Sequence, residues 1–216
     1  GYYPIRHENG FNFDPIVTLD WLKEMLSTDC DKIAHNATYD FGWLEAEGVS
    51  WNGRIIDTMI AAPLIDENRY SYSLNAVAKE YLAETKSEWQ LNEAAAQWGV
   101  DPKKEMYLMP AQYVGEYAEQ DASLTLRIWD RLKDEILKQD LQTVFDLETD
   151  LLPILMKMRK KGVRVDLDRL EVGEGELIKK ENYLLSKIKK ETGMNCDIWA
   201  ARSIAEVFKQ CKIDYP

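Results

Sequence analysis

Hydrophobic positions along the first part of this chain alternate between two spacings. Residues 2–7 read as a short strand weakened by Pro4, which has no backbone N–H to give to a ladder. Ile16, Leu19, Leu22 and Leu26 then fall on one helical stripe, and residues 32–35 form a short apolar strand. Asn36 stands where a side chain caps a helix start; a helix over 37–47 follows and stops at Gly48. Residues 54–56 make another short strand, ended by Asp57-Thr58, which cap a helix over 59–65. Strands alternating with helices predict an α/β layer fold.

Beyond Ser73 the spacing is helical throughout. Helices are expected over 74–82, 88–98 and 111–141, the last entered from Pro110, then over 147–160, 167–191 and 200–210, with a short extended piece at 163–166. No repeat is present. Three cysteines, Cys30, Cys196 and Cys211, are widely spaced and unpaired in pattern, so they read as reduced thiols rather than a disulfide framework or zinc site. No run of about 18 apolar residues and no secretory leader is found, which leads to the expectation of a soluble protein in the cytoplasm. Gly1 opens directly into the apolar YYPI, as expected of a chain that begins inside a domain.

The formal charge of −11 argues against holding nucleic acid by bulk attraction. Charge is divided, however. Residues 157–190 carry 11 Lys or Arg against 6 Asp or Glu, whereas residues 1–156 carry 13 against 28. This pattern describes an acidic module joined to a more basic helical one, or a solvated helix face.

Two places carry candidate chemistry. In YVGEYAEQDASLTLRIWDRL the inward stripe Val114, Tyr117, Asp121, Leu124, Ile128, Leu132 includes a carboxylate. An unpaired buried carboxylate costs several kcal/mol, on the order of what one lost buried ion pair costs, so Asp121 needs a base, a donor or a metal. Tyr117 is one turn earlier on the same face. In HNATYDFGWL, Asn36 and Asp40 lie on the first turn of a helix leaving a strand end, where ligands of α/β sheets collect. Asn36 as a plain cap and Asp40 as a favourable helix-dipole charge is the competing account. A third stretch, VFDLETD at 144–150, has the Asp-x-Glu spacing that grips a divalent ion when it lies on a strand. Its continuation places Leu147, Leu151, Ile154, Leu155 and Met158 at helical spacing, and on a helix Asp146 and Glu148 point about 200° apart.

Asn-x-x-x-Asp after a strand, followed some 80 residues later by Tyr-x-x-x-Asp on a long helix, resembles the second and third motifs of the DEDDy class of 3′-to-5′ exonucleases. SYSLNAVAKEYL and YAEQDASLTLRIW are similar to the proofreading domain of family A DNA polymerases, particularly the bacteriophage branch, and ETDLLPILMKMRKKGVRVDLDRL resembles the passage from that domain into the polymerase region. The resemblance covers essentially the whole chain. It implies a ribonuclease H-like exonuclease fold short of its first strands over residues 1–141, with a helical, thumb-like beginning of the polymerase region over 142–216.

The resemblance further implies hydrolysis of a terminal phosphodiester with two Mg²⁺ or Mn²⁺ ions. Asp121 would ligate one metal, Tyr117 would orient the attacking water, Asp40 would serve the second metal, and Asn36 would position the terminal nucleotide or the motif backbone. His7 and His35 are expected to be structural. The family's first motif, Asp-x-Glu on its first strand, has no counterpart upstream of these residues; YYPIRH takes the place of the third strand, and the 216 residues alone are expected to be inactive. DNA is the expected partner, as a single-stranded 3′ end at the exonuclease site and as duplex at the basic helices. Two other readings stand beside this one: a free-standing ribonuclease D-like exonuclease, and a non-catalytic scaffold that binds nucleic acid or proteins.

Overall fold

The computed structural model describes residues 1–214 and divides into two compact units, Gly1–Lys161 and Gly162–Pro216. The first unit is mostly helical around a small parallel sheet. Its helices are α1 (Pro15–Leu26), α2 (Ala37–Ala46), α3 (Thr58–Ile65), α4 (Leu74–Leu82), α5 (Trp89–Trp98), α6 (Gln112–Lys138) and α7 (Gln142–Lys161). The two strands, β1 (Lys32–Ala34) and β2 (Ile55–Asp57), flank α2 in a βαβ unit and pair in parallel with Lys32 opposite Ile55, Ile33 opposite Ile56 and Ala34 opposite Asp57. A parallel pair needs a crossover of this kind, and α2 supplies it.

The turn into β2 depends on Gly53. Its φ is +77°, and a Cβ there would stand 2.2 Å from the Cys30 carbonyl oxygen, so any side chain would collide with backbone.

The amphipathic spacing of α6 buries Leu124, Ile128, Leu132 and Ile136 against Ala61 and Ala62 of α3, Val77 and Ala78 of α4, Ile56 of β2 and Phe145 of α7. Trp129 stacks on Phe145 with ring centroids 5.3 Å apart. A second cluster joins Ala37 and Phe41 of α2 to Ile55 and to Leu152 and Met156 of α7. A third joins Leu91, Ala94 and Ala95 of α5 to Met109 and Val114. Full burial of each large aliphatic side chain contributes about 2 kcal/mol, so α6, which reaches the first and third clusters, is the central strut.

Two expectations change, at residues 2–7 and at Asn36, and two are refined. Residues 2–7 form no strand: the Tyr2 amide donates to Glu119 Oε1 at 2.9 Å, the His7 amide to Asn12 Oδ1 at 2.8 Å, and Pro4 offers only its carbonyl, which accepts from Phe13 at 2.7 Å. Those groups are spent on loops and side chains, leaving no ladder to form. Asn36 occupies the cap position but does not cap; its φ is +67° and its side chain bonds no helix N–H. The stripe on α1 is only half covered, with Ile16 exposed. Residues 163–166 lie in no helix or strand, and Asp166, whose backbone is extended, caps the next helix through the Arg169 amide at 3.0 Å.

VFDLETD lies inside α7, which begins at Gln142. Asp146 faces Arg54 at 2.8 Å and Gln142 at 3.1 Å, while Phe145 and Thr149 turn inward. The Asp-x-Glu spacing here belongs to a helix packed on β2, α2 and α3. That packing makes α7 part of the first compact unit, which therefore runs 20 residues past position 141.

In the second unit, α8 (Leu167–Thr192) ends at Gly193, whose φ is +73°, and α9 (Ala201–Gln210) follows. Neither helix contains a fully buried residue.

Candidate active site

Asp57 organises one wall. Pairing with Ala34 places Asp57 at the end of β2, directly beside the point where the chain leaves β1 and enters α2. Its buried carboxylate accepts from the backbone amides of Asn36 at 2.9 Å, Ala37 at 2.8 Å and Met59 at 2.9 Å. One acid thus satisfies the first turns of two helices, and a charge at both N-termini is favourable. Asn36 adopts its left-handed backbone to bring its N–H into this grip; its Oδ1 accepts from Thr38 Oγ1 at 3.2 Å. Asp40, one turn along α2, then opens on a cleft of about 760 Å³. Its carboxyl is raised above the usual aspartate range, first by burial and then by the neighbouring Asp57 charge, and it has no ion-pair partner among the described residues.

The opposite wall is α6. Tyr117 and Asp121 line the same cleft as Asn36 and Asp40. The two acids that the sequence singles out are thereby brought to one cavity by elements about 80 residues apart. His35 lines it too, with Nδ1 2.9 Å from Thr58 Oγ1; burial holds its pKa below the ordinary imidazole value despite the Asp57 charge. His7 belongs elsewhere, between Met109 O at 2.7 Å and Tyr2 Oη at 2.5 Å.

A residue that sequence spacing does not flag completes this wall. Lys86, from the segment between α4 and α5, donates to Tyr117 Oη at 2.8 Å and stands 3.2 and 3.3 Å from the two Asp121 oxygens. Only Oδ2 is placed to accept a hydrogen bond, so Oδ1 is buried without one. Burial works against the Lys86 charge, but the Tyr117 hydroxyl and the Asp121 carboxylate outweigh it and hold the ammonium pKa above the usual lysine value. Tyr117 is pushed up by its own burial, against Lys86.

Carboxylate and phenol oxygens are donors that hard divalent cations take, and Asp121 Oδ1 is buried with no hydrogen bond, though the Lys86 ammonium stands 3.2 Å from it. Among the described residues no group of three or more His, Cys, Asp or Glu forms a metal cluster. Asp40 and Asp121 therefore offer two ligands rather than a whole shell.

The cleft at the end of the parallel sheet is thus walled by Asn-x-x-x-Asp at the start of one helix and Tyr-x-x-x-Asp on another. Residues 2–137 match the 3′-5′ exonuclease family model of family A DNA polymerases. Over 99% of its length the chain is 38% identical to a DNA-directed DNA polymerase of Pseudomonas phage M6, covering 33% of that protein. It is 29% identical over 98% of its length to DNA polymerase DpoZ of Salmonella phage PMBT28, covering 34% of it. It is 26% identical over 95% of its length to DNA polymerase I of Rhizobium leguminosarum, covering 21%. The chain belongs to the 3′-5′ exonuclease family of family A DNA polymerases. It spans about a third of the length of the phage relatives it matches.

Members of this family generally use divalent metal ions. No helix among the described residues is long and apolar enough to cross a membrane.

Proposed function

We propose that this chain is the 3′-to-5′ proofreading portion of a DNA polymerase that serves replication, with the ribonuclease H-like fold around β1, β2 and α6. The observation that carries it is the convergence of Asp40 and Asp121 on one cleft together with Asn36 and Tyr117. In this reading Asp40 and Asp121 hold the divalent cations, Mg²⁺ or Mn²⁺. The cations, when bound, activate water and stabilise the leaving 3′ oxygen of a phosphodiester.

The chain's own groups do the rest. The Asp57 grip holds the Asn36 backbone at the mouth of the cleft, where Asn36 positions the terminal nucleotide. Tyr117 accepts from Lys86 through Oη and keeps its own O–H proton to donate, which suits a phenol that orients the attacking water. With two carboxylates supplied by the described residues, residues 1–216 alone retain metal poorly and are expected to be inactive.

The basic run within 157–190 is proposed to meet duplex phosphates, and residues 142–216 to begin the polymerase region. A duplex affinity that falls steeply with salt and weakens on Lys-to-Glu changes in that run tests the first of these.

The exonuclease assignment is tested by release of 3′-terminal nucleotides from a labelled single strand, in Mg²⁺ or Mn²⁺, by a polymerase carrying this segment. Asp40→Ala and Asp121→Ala are each expected to lower release by at least about a hundredfold with nucleotide addition retained. Release unchanged in both variants overturns the assignment. DNA is expected to be degraded faster than RNA of the same sequence.

A further inference from the structure

Among the described residues Lys86 is the only lysine or arginine lining the cleft, which two carboxylates, Asp40 and Asp121, also line. Its placement is built. The Lys86 amide donates to Asn75 Oδ1 of α4 at 2.9 Å, and the next amide, Ser87, donates to Gln120 Oε1 of α6 at 3.0 Å. With the backbone pinned on both sides, the side chain is aimed inward and is only 12% exposed. Its Nζ lies 4.4 Å from the centre of the Tyr117 ring as well as 2.8 Å from its hydroxyl. A third carboxylate, Glu88, stands 3.5 Å from Nζ on the side of the connecting segment.

We propose that Lys86 is the resident counter-ion of this site: its ammonium cross-links Tyr117 to Asp121 and competes with a divalent cation for the Asp121 carboxylate. The inference rests on the assignment of Asp121 as a metal ligand. An ammonium and a divalent ion on one carboxylate repel strongly, since the Coulomb energy of a single and a double positive charge about 4–5 Å apart is several kcal/mol at an effective dielectric of about 20. The lysine stem turns about its own bonds, and Glu88 offers the displaced ammonium a second acidic seat with little movement. Lys86 thereby holds Tyr117 and Asp121 in register before the cation arrives and sets the cost of its arrival. It is a positioning residue in this scheme.

The test is a calorimetric titration of Mn²⁺ into a polymerase carrying this segment, with thermal melts in EDTA alongside. Lys86→Met is expected to bind Mn²⁺ about tenfold more tightly than wild type, and Lys86→Arg no more tightly than wild type. In EDTA, Lys86→Met is expected to melt about 3 °C lower, with no further loss when Asp121→Asn is added, because the two changes remove one interaction. Mn²⁺ affinity that is equal or weaker in Lys86→Met, or absent from both proteins, overturns the inference. A purely structural lysine would lower the melt and leave the affinity where it was.

Should Lys86→Met fail to fold, Lys86→Gln carries the same expectations. Mn²⁺ binding lost in Asp121→Asn but unmoved by the Lys86 changes defeats this inference alone, whereas binding unmoved by Asp121→Asn defeats the metal-ligand assignment beneath it.

Discussion

The two walls of the cleft hold their acids by opposite means. On the α2 wall an anion, Asp57, grips backbone: three amides from two helices converge on one buried carboxylate. On the α6 wall a cation, Lys86, grips side chains, reaching Tyr117 and Asp121 at the end of a flexible stem. Asp40 consequently stands on a first turn that is fixed by strand register, with no ion pair of its own. Asp121 stands on a helix whose backbone is equally firm, but its charge is neutralised by a group that can leave. One wall is set for position and the other for exchange.

The comparison breaks most severely at Asp57. Asp57→Ala leaves three backbone amides, one of them buried and two part-buried, without an acceptor and disconnects β2 from α2, with an expected loss of about 3 kcal/mol in urea unfolding and release of the Asn36 backbone. A smaller effect is expected at the other wall. Asp121→Asn leaves the largely covered Lys86 ammonium with a weaker partner and should cost about 1 kcal/mol, since Glu88 remains within reach.

Next in size is a pH dependence seated at His35. Its folded pKa lies below the ordinary 6.5, so the fold favours the neutral ring. Its contribution is whole above that value and is lost as pH falls through 6.5 toward the folded pKa, because the unfolded chain takes up the proton first. Wild type should therefore lose more stability than His35→Gln between about pH 7.5 and about pH 5.5, measured by denaturant midpoints at each pH; equal losses would exclude this origin.

The smallest effect is expected at Asp146. Its contact with Arg54 is solvent-exposed, so Asp146→Ala should change stability by less than about 0.5 kcal/mol and leave Mn²⁺ affinity unaltered. A drop in metal affinity there would move the metal site to α7.

Helical elements were legible wherever a periodic apolar face met a cap or a stop. The expected helix over 74–82 is the observed α4, and the others differ by a few residues at their ends, apart from α7, which starts five residues earlier than the apolar pattern of 147–160 indicates. Tyr117 and Asp121 were visible because a carboxylate within an inward stripe is costly and draws notice. Asp57 was legible in part, as the cap of α3, which its bond to the Met59 amide bears out. Its hold on Asn36 and Ala37 was not, because that needs the pairing of Ala34 with Asp57. Lys86 gave no signal: a single lysine in a polar connection looks like solvent-facing charge until the packing of α4, α5 and α6 turns it inward.

Local sequence, then, determined the helices to within a few residues, the two paired strands, the helical spacing that follows VFDLETD, and which acids are candidates for chemistry. Each of these follows from spacing within a few turns of chain. Tertiary structure alone decided that residues 2–7 pair with nothing, that Asp57 rather than Asn36 caps α2, and that Lys86 neutralises Asp121. Those outcomes depend on which backbone amides and charges are brought together across 20 to 120 positions of sequence, and periodicity within one element carries no information about its neighbours in space.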